Sequence, residues 1–315
     1  MTIAQLKYLL AVAKYRNFTK AAKEVHATQP TLSMQIKNLE EELGVKIFDR
    51  SKTPLKITPI GEKIIEQAKK ILIENNKIEE IVKNEKGYIG GEFKLGIIPT
   101  LSSTLLPVFL KDFIKKYPEV QLKIYERTTQ EIIDMLKEEE LDAGLLATPL
   151  EDSKIKELPL YNEPFVAFIP KGHRLYGKEK LVDQDLAVDD ILLLEEGHCF
   201  RDNILNICRS DNIFPDEFYL ETGSFETLIK LSKEGLGMTL LPYLHTLDLC
   251  EEDKKYLKTF EKPEPAREIS LVHYTDNYKK GIVNALYKLI KAIIKGMIVF
   301  YDVRIISPLP KKEKI

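Results

Sequence analysis

The 315-residue chain predicts an all-α head with a small two-stranded wing, a long linker helix and a larger α/β body. Three observations predict this. The first 44 residues hold three short amphipathic helical patterns; residues 62–86 contain no Gly or Pro and repeat apolar residues at spacings of four and three; beyond residue 91, short apolar runs alternate with helical stretches. A chain of this length exceeds one ordinary core, so about two folding units are expected.

With 44% hydrophobic and 30% charged residues the chain reads as globular, not fibrous or disordered. Its start, MTIAQLKYLLAVAKY, is broken by Lys7 and Lys14 and lacks a small-residue cleavage signal, so it reads as a helix and not as a signal peptide. No run reaches the roughly 18–20 apolar residues of a membrane span. The expectation is a cytoplasmic protein without membrane contact, in a reducing compartment where Cys199, Cys208 and Cys250 form no permanent framework. The net charge of −2 hides an asymmetry, with +5 on residues 1–60 and −7 on the remainder. A basic head on an acidic body suits a polyanion held at one end, because Lys and Arg release counterions from phosphates. A chance surface imbalance would look the same.

In the head, Leu6, Leu9, Leu10 and Val12 line a first helix over about 3–15. A second follows Asn17, with Phe18, Ala21, Ala22 and Val25 buried, and its small alanines permit a close crossing. His26, Ala27 and Thr28 make a connection of helix-turn-helix length. Thr28 caps a third helix with Pro30 in its first turn, and Leu32, Ile36, Leu39 and Leu43 share one face. That leaves Gln29, Thr31, Ser33, Gln35 and Lys37 outward, where Gln reads a base edge and Ser, Thr and Lys hold phosphates. A solvated face on a bundle helix is the alternative. GVKIFDRSKTPLKITP, at 44–59, alternates apolar and basic residues around Pro54, so Arg50, Lys52 and Lys56 sit on a wing beside the recognition helix. In the linker, Ile64, Ala68, Ile71, Asn75, Ile78 and Val82 form a heptad seam whose single Asn75 would specify pairing with a second chain. Packing on its own domain would use the same stripe.

The stretch FTKAAKEVHATQPTLSMQIKNLEEELGVKIFDR, continuing through TPLKITPIGE, resembles the head of the LysR-type transcriptional regulators. The resemblance implies a winged helix-turn-helix at 1–59 that binds double-stranded promoter DNA, and a dimerisation helix at 60–86 that pairs antiparallel. It further implies a periplasmic-binding-protein-like regulatory domain at 87–300 and a tail at 301–315. Subdomain I would hold 91–163 and 268–300, and subdomain II 164–267. Pairs of dimers forming a tetramer, and action on RNA polymerase, follow from the same resemblance.

Within the body, FKLGII, VQLKIYE, AGLLA, FVAFI, ILLL, MTLL and ISLVHY read as strands, between helices near 102–115, 130–139, 224–235 and 277–295, which predicts parallel sheets. Thr100 follows the first strand, where ligands of such sheets bind. GHCFRDNILNIC reads as a helix beginning at Cys199, with Phe200, Ile204 and Ile207 on one side and Asp202 in its first turn. The helix dipole, His198 and Arg201 would each favour a Cys199 thiolate. Cys208, nine residues on, lies roughly 13 Å away at ~1.5 Å per residue, whereas a disulfide tolerates about 7 Å. Joining the two requires the helix to unwind. Two inert buried thiols are the plain alternative. Zinc is a poor fit because Cys-x8-Cys is not a usual ligand spacing, and no cofactor is implied. Cys250 reads as core packing, and His26, His173, His245 and His273 as surface or satisfied core residues.

HCFRDNILNIC also resembles the redox segment of the hydrogen-peroxide sensors within the LysR family. The resemblance implies Cys199 as peroxidatic and Cys208 as resolving, a peroxide pocket of Thr100, Thr129, His198, Asp202 and Arg267, control of antioxidant genes, and a thiol reductant such as glutaredoxin or thioredoxin. A LysR regulator sensing a small organic ligand in the cleft, and a thiol peroxidase, are the other readings; the basic head argues against the enzyme.

Overall fold

The computed structural model describes residues 1–51, 54–85, 87–186, 191–208, 222–275, 277–298 and 302–309. Two compact units, Met1–Lys86 and Gly87–Ile315, divide the chain.

Each helix of the first unit starts where a side chain satisfies its orphan N–H groups. At α1 (Ile3–Tyr15) Thr2 accepts from the Gln5 N–H and the Gln5 side chain accepts from the Thr2 N–H. Asn17 caps α2 (Phe18–Glu24), and Thr28 caps α3 (Gln29–Leu43), with Pro30 in the first turn. Gly44, at φ 67°, supplies the left-handed residue that stops α3. Leu9, Val12, Ala21, Leu32, Ile36 and Leu39 meet in the core. Leu43, predicted in that stripe, is exposed, since the last turn overhangs the bundle. β1 (Phe48–Asp49) and β2 (Lys56–Ile57) pair antiparallel as the wing. The buried Glu40 carboxylate ties helix to wing: Oε1 accepts from the N–H groups of Ile47 (2.8 Å) and Phe48 (3.1 Å), and Oε2 accepts from Arg50 Nη2 (3.2 Å).

The linker helix α4 (Pro59–Glu85) spans 27 residues. Its first half completes the head's core through Ile65, Ala68 and Leu72. Ala68, expected to face a second chain, is 1% exposed within its own head, because a small side chain there lets α4 lie against the bundle. Ile64 and Ile71 pack there in part, and Asn75 is half-buried. Ile78, at 65% exposure, and Val82 remain uncovered in the single chain.

The second unit has two apolar cores joined by two long strands. Around the first, β3 (Gly91–Ile97), α5 (Pro99–Lys116), β4 (Val120–Glu126), α6 (Thr129–Lys137) and β5 (Ala143–Thr148) alternate, with β3 parallel to β4 and β5. Gly144 lets α6 seat on the sheet, since a Cβ there would lie 2.6 Å from Ile132 Cγ2. β6 (Ile155–Phe168) carries the chain to the second core, built with β7 (Lys180–Leu181), α7 (Cys199–Ile207), α8 (Phe225–Lys233), β8 (Thr239–Pro242) and β9 (Leu257–Phe260); between β8 and β9 the chain forms α9 (Tyr243–Leu247), whose Leu244 joins the first core, and α10 (Glu251–Lys254), which buries no residue. β10 (Glu264–Tyr274) returns, α11 (Lys280–Ile294) covers the first core, and β11 (Val303–Ile305) follows.

The strand order is β4-β3-β5-β10-β6-β9-β7, with β8 also on β6 and β11 on β10. The sheet is therefore mixed and not purely parallel: β10 runs antiparallel to both β5 and β6, because the chain leaves on one strand and comes back on its neighbour. The ILLL run is not a strand; Ile191 makes a single bridge to Met238 and the leucines fill the second core. Within the segment expected as a tail from residue 301, β11 pairs in parallel with β10 and Ile306 is buried. Residues 310–315 lie outside the described residues. Among those described, no helix is long and apolar enough to cross a membrane.

Replacing Glu40 with Ala strands two buried N–H groups and an arginine that now share one carboxylate. The expected outcome is a loss of about 2–3 kcal/mol in the head's stability, read by urea unfolding, with faster amide exchange at Ile47 and Phe48.

Candidate functional site

Helix α7 forms because Phe200, Ile204 and Ile207 bury one side of a short amphipathic segment. His198 stands at its N-cap without a side-chain cap bond, Cys199 is its first residue and Cys208 its C-cap. The two cysteines are buried and neither is in a disulfide. Nine helical steps separate them, about 13 Å of rise, beyond the reach of an S–S bond. Cys199 packs in the first core of the body and Cys208 in the second.

The surroundings of Cys199 come from several other elements. Arg267 on β10 is wholly buried, and its Nε and Nη2 donate to Glu163 Oε2 on β6 at 3.0 and 2.8 Å. Its Nη1 donates to Thr100 Oγ1 (2.9 Å), its Nη2 to the Thr100 carbonyl (3.3 Å), and its guanidinium lies 5.1 Å from the centre of the Phe200 ring. Glu163 Oε1 accepts from the Leu244 N–H at 2.9 Å. Burial pushes the Cys199 thiol above its usual range; the Arg267 charge and the Thr129 hydroxyl oppose this, Asp202 adds to it, and the Ala147 N–H opposes it. The buried Thr129 hydroxyl, at the start of α6, has no hydrogen-bond partner among the described residues, and it is one of the groups that favour the Cys199 anion.

The structure thus brings Thr129 and Arg267 to Cys199, with Thr100 bonded to the Arg267 guanidinium, and burial works against the expected thiolate. The helix start and its neighbours do not outweigh burial in an apolar core. Arg201, expected to help, points elsewhere, donating from Nη1 to the Leu194 carbonyl (3.1 Å) and lying 3.9 Å from Glu196. His198 Nε2 is 3.3 Å from Glu195 Oε1. The Asp202 carboxyl is pushed up by burial against the pull of Arg201, with Glu196 adding to the rise. Glu163 was not anticipated; its signal was a lone acid opening an apolar strand. Tyr161, two residues earlier, has a buried hydroxyl with no partner among the described residues, and burial and Glu163 raise its pKa well above the phenol value.

Cys250, expected in the core, is exposed at the start of α10, where three acids follow it and no apolar stripe exists. His26 is exposed and His245 half-buried; His173 Nδ1 accepts from the Leu175 N–H, and His273 Nδ1 lies 2.7 Å from the Tyr274 carbonyl. No group of three His, Cys, Asp or Glu among the described residues is placed to hold a metal.

On the head, Gln29, Pro30, Thr31 and Lys37 are exposed along α3, with Ser33 and Gln35 half-buried. Thr31 shares its hydroxyl with the capping Thr28 at 2.8 Å. Met34, missed because it breaks the polar pattern, is 56% exposed on the same helix. Lys56 is exposed on the wing, whereas Arg50 is engaged by Glu40 and stacks 5.1 Å from the centre of the Phe18 ring. Lys52 lies outside the described residues.

Residues 3–62 match the family described as bacterial regulatory helix-turn-helix protein, lysR family, and residues 86–294 match LysR substrate binding domain. The hydrogen peroxide-inducible genes activator of Pectobacterium carotovorum is 33% identical over 94% of this chain and 98% of its own length. The DNA-binding transcriptional dual regulator OxyR of Escherichia coli K12 is 32% identical over 94% of this chain and 97% of its own. Full-length OxyR of Pseudomonas aeruginosa carrying a Cys-to-Asp substitution has a similar structure, with TM-score 0.71 and 32% identity over 92% of this chain and 95% of that one.

Because the thiolate is the nucleophile and Cys199 is held protonated by burial, its oxidation by peroxide is expected to accelerate about tenfold per pH unit until its raised pKa is passed. Thr129→Val removes a buried hydroxyl that favours the anion, so it is expected to slow the reaction several-fold at pH 7 and to move the profile to higher pH. Stopped-flow oxidation of the Cys208→Ser background between pH 6 and 10 checks both.

Proposed function

The chain belongs to the LysR family of bacterial helix-turn-helix regulators, and from that premise we propose that it is a DNA-binding transcription activator that senses hydrogen peroxide through Cys199 and Cys208. The carrying observation is their placement at opposite ends of one helix, each buried in a different core, with the first beside Arg267, Thr100 and Thr129. The relatives named as peroxide-inducible activators support the same reading.

The chemistry follows from the site. The Cys199 thiolate attacks one peroxide oxygen, the O–O bond breaks, and hydroxide leaves; sulfur has lost two electrons and become a sulfenic acid. Thr100 and Thr129 hydroxyls and the His198 ring orient the oxidant, Asp202 completes the pocket, and Arg267 supplies fixed positive charge where negative charge moves from sulfur to oxygen. The Cys208 thiol then displaces water from the sulfenic acid, forming the disulfide without a further oxidant. Since α7 holds the sulfurs too far apart, closure melts the helix and biases the body between two packings. A cellular thiol reductant such as glutaredoxin or thioredoxin resets it. One peroxide is consumed per switch, which suits a regulator more than an enzyme.

In the head, α3 enters the major groove with Gln29, Pro30, Thr31, Ser33, Gln35 and Lys37, while Lys56 and Lys52 reach the backbone; Arg50 chiefly braces the wing. Ile78 and Val82 form the part of the linker seam that a second chain covers, and pairs of dimers, RNA polymerase contact and a cytoplasmic setting complete the proposal. Micromolar hydrogen peroxide on the reduced full chain is expected to give a Cys199–Cys208 crosslink in peptide mapping. Cys199→Ser should abolish it, and Cys208→Ser should stop at a sulfenic acid trappable by dimedone. Free thiols at both positions after oxidant exposure would overturn the reading.

A further inference from the structure

The chain's last described segment touches the helix that separates the two cysteines. Val303, Arg304 and Ile305 pair in parallel with Glu264, Pro265 and Ala266 of β10, the residues just before Arg267. The Glu264 N–H donates to the Asp302 carbonyl (3.1 Å), and the Ile306 N–H to the Ala266 carbonyl (2.8 Å). Arg304 Nη2 meets Asp183 Oδ2 at 2.6 Å. Past this anchor the Ile306 side chain enters the second core, which also contains Phe200, Ile204 and Ile207 of α7.

From α7, two asparagines three residues apart reach the same segment. The wholly buried Asn203 donates from Nδ2 to the Ile306 carbonyl at 2.9 Å. Asn206 Nδ2 donates to the carbonyls of Ser307 (2.9 Å) and Leu309 (2.7 Å). The Leu309 N–H donates to Ser307 Oγ (3.1 Å), which curls the segment so that both carbonyls face one side chain. An Asn at i and i+3 presents its amide to one line only while the backbone between them is helical. Unwinding α7 therefore breaks these bonds together.

We propose that residues 302–309 are a strap that locks α7 in the helical, reduced form and sets the rate of disulfide closure independently of the rate at which Cys199 meets peroxide. Bound to β10 at one end and to Asn203 and Asn206 at the other, the strap resists the step in which the Cys208 thiol displaces water from the Cys199 sulfenic acid. It leaves the first step, peroxide attack at the far end of α7, untouched. The inference rests on the disulfide reading above.

The test uses the full chain, the Asn206→Ala variant and a chain ending at residue 301. Three quantities are measured: sulfenic acid formation in the Cys208→Ser background, crosslink formation with Cys208 present, and amide exchange across 199–207 in the reduced state. Sulfenic acid formation is expected to stay within about twofold, closure to accelerate about tenfold in Asn206→Ala and up to about a hundredfold in the shortened chain, and α7 amides to exchange faster while those of α11 do not. Asn206→Ala, which removes one amide on a half-buried side chain, carries the test even where shortening perturbs folding. Closure and α7 exchange at parental rates in Asn206→Ala would overturn the strap and leave the disulfide reading intact. A parent that never crosslinks, with α7 exchange still accelerated in the variant, would sink the disulfide reading while the lock on the helix stands.

Discussion

The ion pair between Arg267 and Glu163 is the constraint on which the body's site depends. Both side chains are fully buried, and two charges removed from water persist there only when geometry and further hydrogen bonds compensate. Here Glu163 takes two guanidinium N–H groups and the Leu244 N–H, and two further guanidinium N–H groups go to Thr100. The network fixes β6 to β10 where the chain passes between cores, and it pins the start of α5. A cation is thereby placed beside Cys199 with no freedom to move off, which a surface lysine could not provide.

That fixed charge works against burial without overcoming it. A thiol that is neutral at rest is a weak nucleophile, while the groups that favour the anion, Thr129 and the Ala147 N–H among them, are already in place beside it. Preorganised dipoles of this kind act when charge develops and need no rearrangement at that moment. The same apolar enclosure that suppresses the resting thiolate thus strengthens each interaction with the reacting one.

Much of the molecule was readable in the residues, and the exceptions share a cause. Caps at Thr2, Asn17 and Thr28, the stop at Gly44 and the amphipathic stripe of α7 are local, so spacing alone located them. Errors arose where contacts are made between residues far apart in sequence. Arg201 is Cys199's neighbour along the chain, yet the guanidinium beside the sulfur belongs to Arg267, whose placement depends on strand pairing. Ala68 fits a heptad and also fits its own bundle, and only packing distinguishes the two. Four apolar residues at 191–194 suit a strand or a core-filling loop equally. The docking of the chain's end on β10 has no pattern to announce it, because edge pairing draws on backbone groups that every residue carries.

The separation of the body into two apolar interiors has a thermodynamic consequence. Helix α7 buries Cys199 in one interior and Phe200, Ile204, Ile207 and Cys208 in the other, so unfolding that helix would expose nonpolar area of both, and the accompanying heat-capacity change grows with their sum.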